Sequence, residues 1–259
     1  MKAAHIIEQF DNAGAFFGVR QESLTTESGI EIPNRVANIR EDTGQVMGVV
    51  STNYKVIPYE EGVVVPAANA LADSGLDLTD ANVNVQFAKN GGRMLGVVTL
   101  PNEKMFVDTP RGRDEHQLQV LLRSGHDADF FVDFRPGAIR MACLNGQYNI
   151  ASIGRFKGKH TSGFDPAILQ QQARTMLGGF KQAGERWAQW ADKDLNDDQA
   201  ARILGIYTHQ PKEVLNRGAK GIAEQRDKRM TKVVNLFDRF KDHEAKEIGH
   251  TAWGIYNTM

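Results

Sequence analysis

Chemistry-bearing residues concentrate in one stretch of this 259-residue chain, "RPGAIRMACLNGQYNIASIGRFKGKH", from Arg135 to His160. It holds five Arg or Lys and no Asp or Glu, in a chain whose formal net charge is -1. Arg140, Arg155, Lys157 and Lys159 offer cations for phosphate oxygens, while Tyr148 and Phe156 offer flat faces on which bases stack. Those are the two ingredients of a groove for single-stranded nucleic acid. Gly154 and Gly158 allow close backbone approach, and Arg123, Lys89 and Arg93 are candidates to extend the track from neighbouring strands. The same residues also read as a solvated loop whose aromatics close the edge of the core, because Lys and Arg are common on any surface.

Other reactive side chains point less clearly to chemistry. Cys143 is the only cysteine, and as a nucleophile it would need His116, His126 or His160 beside it to lower its pKa. On a strand it shares a face with Ile139 and Met141, opposite Arg140, which reads as a small buried side chain. A single cysteine forms no internal disulfide and suits a reducing cytoplasm, where the protein is expected to stay. His126, Asp127 and Asp129 in "GHDAD" are explained as well by a turn as by a metal, and no His-x-x-x-His or Cys-x-x-Cys is present. A hydrolase or nuclease would require His126, Asp127 and His160 to converge. Glu60 and Glu61 read as acids in the first turn of a helix. No phosphate-binding or nucleotide-binding glycine motif occurs, and no cofactor is expected.

These side chains must be carried by elements legible in the periodicity. From about Arg35 to Leu144 the chain alternates in the manner of strands, and from Asp165 it is helical. That segregation predicts an α+β fold: a curved antiparallel sheet of hairpins with one packed helix, followed by a helical C-terminal segment. The expected divisions are an N-terminal segment over 1–33, the sheet and helix core over 34–164, and the helical segment over 165–259. "RVANIR" and "VMGVVS" flank a loop at Asp42 to Gly44; "NVNVQFA" and "RMLGVVTL" flank Asn90-Gly91-Gly92. "HQLQVLLRS" and "FFVDFR" join at Gly125-His126-Asp127. After Pro136-Gly137 a new strand, "AIRMACLN", is expected. Pro58, Glu60 and Glu61 begin a helix through Val63 to Leu71, kinked or restarted at Pro66.

In the helical third, Asp165 is an N-cap and Pro166 the first helical residue. Leu169, Ala173, Met176, Phe180, Ala183, Trp187 and Trp190 predict one apolar stripe more than five turns long. A second helix carries Ala200, Ile203, Leu204 and Tyr207, and a third Ile222, Met230, Val233, Val234, Phe237 and Phe240. "HTAWGIYNTM" ends on an apolar helical face, which predicts a chain cut short at Met259. No stretch reads as a signal peptide or a membrane span.

"DTGQVMGVVSTNYKVIPYEE", the "GGR" hairpin, "RSGHDADFFVDFRPGAIRMACLNG" and "KHTSGF" ahead of a long helix occur in an order that resembles the phage/plasmid-like protein family, a domain-of-unknown-function group of phages, prophages and plasmids. The matching positions are Gly48, Val49, Val50, Tyr54, Lys55, Glu60 and Glu61; then Gly125, His126, Asp127, Arg140, Cys143 and Asn145; then Lys159, His160 and Thr161. "DADFFVDF" departs from the family pattern, where small polar residues are more common, and so does Pro66. The outline is also similar to phage single-strand annealing proteins. The resemblance implies a single-stranded DNA-binding protein that promotes annealing in recombination or replication as a homo-oligomer, with Arg140, Arg155, Lys157 and Lys159 on phosphates, Tyr148 and Phe156 stacked, and Arg123 and Lys89 in support. The alternative is a non-enzymatic interaction protein that binds a host or phage protein through its helical third, anchored by Trp187, Trp190, Trp253 and Tyr256.

Overall fold

Alternating apolar and polar residues in the first half and helical periodicity in the second give an α+β chain, as expected. The structure, a computed structural model, describes residues 2–140, 150–208 and 219–259. Two compact units divide these residues: the first comprises 2–104, 117–139 and 150–180, and the second takes 105–116, Arg140 and the described residues from 181 onward. The linear boundaries expected at 33 and 164 are not the ones seen. The N-terminal residues supply a helix and a strand to the first unit, and the first helix after Asp165 belongs to that unit too.

In the first unit, α1 (Lys2–Asn12) is followed by the three-stranded antiparallel sheet β1 (Val19–Thr25), β2 (Glu31–Arg40) and β3 (Val46–Ser51). The expected β2–β3 hairpin forms, with Gly44 at φ +68°, a conformation that glycine adopts without steric cost. A π-helical turn at Glu60–Val64 then tightens into α2 (Val65–Asp73). Pro66 stands where the turn tightens, so it marks the start of the α-helix proper.

A larger antiparallel sheet, in the order β4-β5-β6-β7-β8 with β9 also on β7, is built from β4 (Asn82–Ala88), β5 (Arg93–Thr109), β6 (Gly112–Gly125), β7 (Val132–Arg140), β8 (Ile150–Ser152) and β9 (Phe156–Gly158). The tight β4–β5 turn puts Lys89, Asn90 and Gly91 at φ +52°, +58° and +91°. β7 runs straight through Pro136-Gly137 where a break between two strands is expected from the sequence. Pro136 stands at the end of the β8 pairing, where its carbonyl still accepts the Ile153 N–H at 3.0 Å and only the reciprocal bond is lost. Cys143, Asn145 and Tyr148 lie outside the described residues.

Alternation sorts the large sheet into two faces. Leu118, Val120, Leu122, Met94 and Val98 are buried inward, whereas Arg93, Leu95, Gln117, Gln119, Leu121 and Arg123 remain half-exposed outward. α1 closes the inner face. The Phe10 ring lies where a Cβ on Gly96 would be, and the Gln9 amide accepts from Val83 N–H and donates to the Ala81 carbonyl, both at 2.9 Å. α3 (Pro166–Gly178) packs on α2 and β9, capped by Asp165, whose carboxylate accepts the Ala167 N–H at 2.8 Å.

The expected long stripe breaks at Gly178-Gly179, two residues of poor helix propensity, and α4 (Phe180–Ala191) begins the helical part of the second unit. α5 (Asp197–Tyr207) has a reciprocal cap between Asn196 and Gln199. α6 (Ala219–Arg239), the short α7 (Ala245–Glu247) and α8 (Ala252–Thr258) follow. Leu204, Phe240 and Ile255 form the core of these helices, while Met230 and Val234, expected on the buried stripe of α6, are 56% and 50% exposed. Among the described residues no helix is long and apolar enough to cross a membrane.

A methyl group at position 96 has no free volume, since its Cβ would lie 2.6 Å from the Phe10 ring. Gly96→Ala is expected to lower unfolding stability by about 1–3 kcal/mol, read from the midpoint of urea denaturation; an unchanged midpoint would show that α1 is not pressed against this strand.

Candidate functional site

An acid inside an apolar strand has to be paired, because burying a lone carboxylate is prohibitive. Asp133 in "FFVDFR" is 1% exposed. Its oxygens accept from Arg155 Nε at 2.9 Å and Nη2 at 2.6 Å, from Arg123 Nη2 at 2.5 Å, and from Arg135 Nη2 at 3.5 Å. Burial pushes this carboxyl up, but the Arg155 and Arg123 hydrogen bonds outweigh it and hold it below the usual range. The same bonds raise the pKa of Arg155. One buried anion therefore draws together three cations from β6, β7 and the approach to β9.

A second acidic centre extends the row. Asp127 accepts from Arg93 Nε at 2.5 Å and pairs with Lys89 Nζ at 3.0 Å; Asp129 pairs with Arg93 and with Lys89. Phe130 lies between the two centres, with the Arg93 and Arg123 guanidiniums 5.1 and 5.3 Å from its ring centroid. Lys157 lies over Phe131 at 3.7 Å. Arg93, Arg123, Arg135, Phe130, Leu95 and Gln86 line a cleft of about 470 Å³ on the outer face of the sheet. Five bases here share three acids, and the exposed Lys157 and Lys159 add to the positive surplus. Arg123 Nε and Arg135 Nε have no acceptor among the described residues.

Of the residues singled out by sequence, the structure brings together Arg155, Lys157, Arg123, Arg93 and Lys89, and it leaves Lys159 exposed on the same side of β9 as Arg155 and Lys157. Phe156 points the other way. It is 8% exposed and lies against Gly158 in the interior, because strand alternation sends Phe156, Gly158 and His160 inward. The aromatic rings beside the cations are instead those of Phe130 and Phe131. Tyr148 and the side chain of Arg140 lie outside the described residues. The sequence reading missed Arg135, Phe130, Phe131 and the acid that organises them; the available signal was Asp133, the one charge in an apolar run.

His126 and His160 do approach each other, but as part of the interior. His126 stacks on Tyr59 at 4.3 Å and His160 on Tyr54 at 4.9 Å. Tyr54 and Tyr59 donate to the Gly125 and Gly91 carbonyls at 2.6 and 2.8 Å, and Asn38 donates to the His126 carbonyl at 2.6 Å. Burial above all, then the charge of His160, drives the His126 pKa down to about 3, with Asp127 opposing; burial lowers His160 to about 4. Ser124 Oγ is 3.4 Å from His160 Nε2, yet Ser124 is fully buried and His160 Nδ1 has no carboxylate to orient it. A nucleophile and base pair needs both access and that third group. Among the described residues no three His, Cys, Asp or Glu side chains could hold a metal ion together.

A family model described as a domain of unknown function, DUF932, matches residues 46–259. The chain belongs to the DUF932 family. No curated protein and no solved structure matches it. In this DUF932 chain the blocks that carried the resemblance meet at one place. Gly48 leaves room for Asp127, whose Cα would be 2.7 Å from a Cβ there, and the Gly92 carbonyl accepts the His126 N–H at 2.7 Å. The Lys55 N–H donates to the His160 carbonyl at 3.1 Å. Tyr54, His126, Asp127 and His160 thus brace the turn that carries Phe130 and Phe131. β1 and β2 precede the matched region.

Of the four aromatic anchors expected on the helical third, two are buried within the second unit of this DUF932 chain, while Trp190 and Tyr256 are half-buried with ring centroids 5.0 Å apart. Trp187 and Trp253 are 2% and 0% exposed and stack at 5.1 Å; Trp253 Nε1 donates to Asp114 at 3.1 Å.

Both brace histidines are neutral in the folded chain and have depressed pKa values, so their contribution to stability is complete above the unfolded value of 6.5 and is lost as pH falls below it. Between pH 6.5 and 5 the unfolding free energy is expected to drop with a slope approaching ~2.7 kcal/mol per pH unit for two protons. His160→Phe, which retains a ring against Tyr54, should halve that slope; denaturation series at several pH values test this, and a flat profile would contradict it.

Proposed function

We propose that the protein binds single-stranded DNA across the outer face of its large sheet and, as an oligomer of phage or mobile-element origin, promotes strand annealing. The observation that carries the reading is the row Arg93, Arg123, Arg135 and Arg155, contributed by successive strands and the approach to β9, and anchored by buried Asp133 beside Phe130. At strand spacings of about 4.8 Å such a row spans roughly 15 Å. Guanidiniums fixed by a carboxylate lose little side-chain freedom when a phosphate oxygen arrives, and their remaining N–H groups suit its geometry. Phe130 and Phe131 supply faces for bases, which favours single strands over a closed duplex. The chain is nearly neutral overall, so a polyanion would be held by this local surplus and not by the global field.

Such an interface contacts the backbone and tolerates sequence, as annealing requires. Fluorescence anisotropy with a labelled oligothymidine should show log affinity falling linearly with log salt. Replacing Lys157 and Lys159 together by Ala, both exposed and outside the buried pairs, should flatten the slope by ~1.4. Phe130→Ala should weaken binding by about 1–3 kcal/mol at constant slope. Absence of binding at low salt, or a slope unchanged by the lysine substitutions, would refute the reading.

A further inference from the structure

β1 is an edge strand, and among the described residues only β2 pairs with it. Its regular run is short, because the register with β2 shifts between Ser23 and Thr25. Val19 to Ser23 are therefore five residues of regular strand centred on Gln21. The direction of their free groups follows from the ladder. The Glu41 N–H bonds to the Gly18 carbonyl at 3.0 Å, in the same register as Arg20 opposite Ile39 and Glu22 opposite Ala37. Residues 18, 20 and 22 thus face β2, and Val19, Gln21 and Ser23 turn their N–H and C=O outward.

The charges along this edge are complementary to themselves. Arg20 and Glu22 flank Gln21, lie on the face of the sheet that holds Ala37 and Ile39, and pair with each other at 2.7 Å with side chains 45% and 49% exposed. If two such strands meet antiparallel about Gln21, Gln21 lies opposite Gln21 and Val19 opposite Ser23 of the other copy. Those are the positions with free backbone groups. Arg20 then falls opposite Glu22 of the other copy, twice, at non-hydrogen-bonded positions where facing side chains come closest. Backbone groups and charges are satisfied in the same register, as a two-fold interface requires.

We propose that the protein self-associates through β1, two copies joining their three-stranded sheets into one continuous six-stranded sheet. Open strand edges invite such pairing unless they are blocked, and nothing in Val19–Ser23 blocks it: there is no proline and no row of like charge. β1 precedes the matched family region, so the interface is a property of this chain and not of the DUF932 model. It stands independently of the nucleic-acid reading, since none of its residues lies in the arginine row.

Charge exchange tests the register. In sedimentation velocity over a wide range of protein concentration, without nucleic acid, the native chain should associate reversibly. Arg20→Glu or Glu22→Arg alone places like charges opposite each other twice and should weaken association roughly tenfold or more. The double variant Arg20→Glu with Glu22→Arg restores both cross-pairs and should recover association to near the native level. Circular dichroism and melting of each variant confirm that these exposed substitutions leave the fold intact. A native chain that stays monomeric, single variants that associate like the native chain, or a double variant no better than the singles would each overturn the proposal.

Discussion

The outer face of the large sheet depends on a single buried carboxylate. Asp133 has almost no access to water, and its charge is tolerable only because Arg123, Arg135 and Arg155 surround it. In the other direction, three guanidiniums that would repel one another are held within one small area by that anion. The arrangement is strong in geometry more than in net stability, since a buried ion cluster loses in desolvation much of what it gains in attraction. What it supplies is preorganisation: cations already in place, with donors to spare, on side chains that remain half-exposed.

The second constraint lies beneath the loop from Gly125 to Phe131. Stacked His126 and Tyr59, stacked His160 and Tyr54, and the short bond from Asn38 to the His126 carbonyl tie the small sheet, the β4–β5 turn and the β6–β7 loop together. Asp127 links this brace to the surface, since it sits beside the histidines and grips Arg93 and Lys89. The side chains that most suggest acid–base chemistry in the sequence therefore serve to position a loop. Their depressed basicity follows from burial.

What the sequence made legible was whatever depends on neighbours along the chain. The hairpins at Asp42–Gly44 and Asn90–Gly92 follow from alternation and positive φ, and Asp165 with Pro166 marks a helix start by local capping alone. The basic residues at 155, 157 and 159 share a face because a strand repeats every two residues, which also explains why Phe156 turns inward. Features that depend on contacts across strands were not legible. The hub at Asp133 joins residues from three parts of the chain, and Phe130 becomes a groove wall only because Arg93 and Arg123 reach it. The long helical stripe failed at Gly178-Gly179 because periodicity registers side chains and ignores backbone propensity. Trp187 and Trp253 looked like surface anchors until Asp114 and each other proved to be their partners.

A nucleic-acid strand on the outer face of the sheet would lie against the tryptic segment from Ser124 to Arg140, uncut at Arg135 because proline follows, which carries both Phe130 and Phe131. Ultraviolet crosslinking of an oligothymidine to the native protein, followed by digestion and mass spectrometry, reads that placement directly. Adducts are expected on Phe130 or Phe131; adducts confined to α5, α6 or α8, with that segment unmodified, would contradict binding on this face.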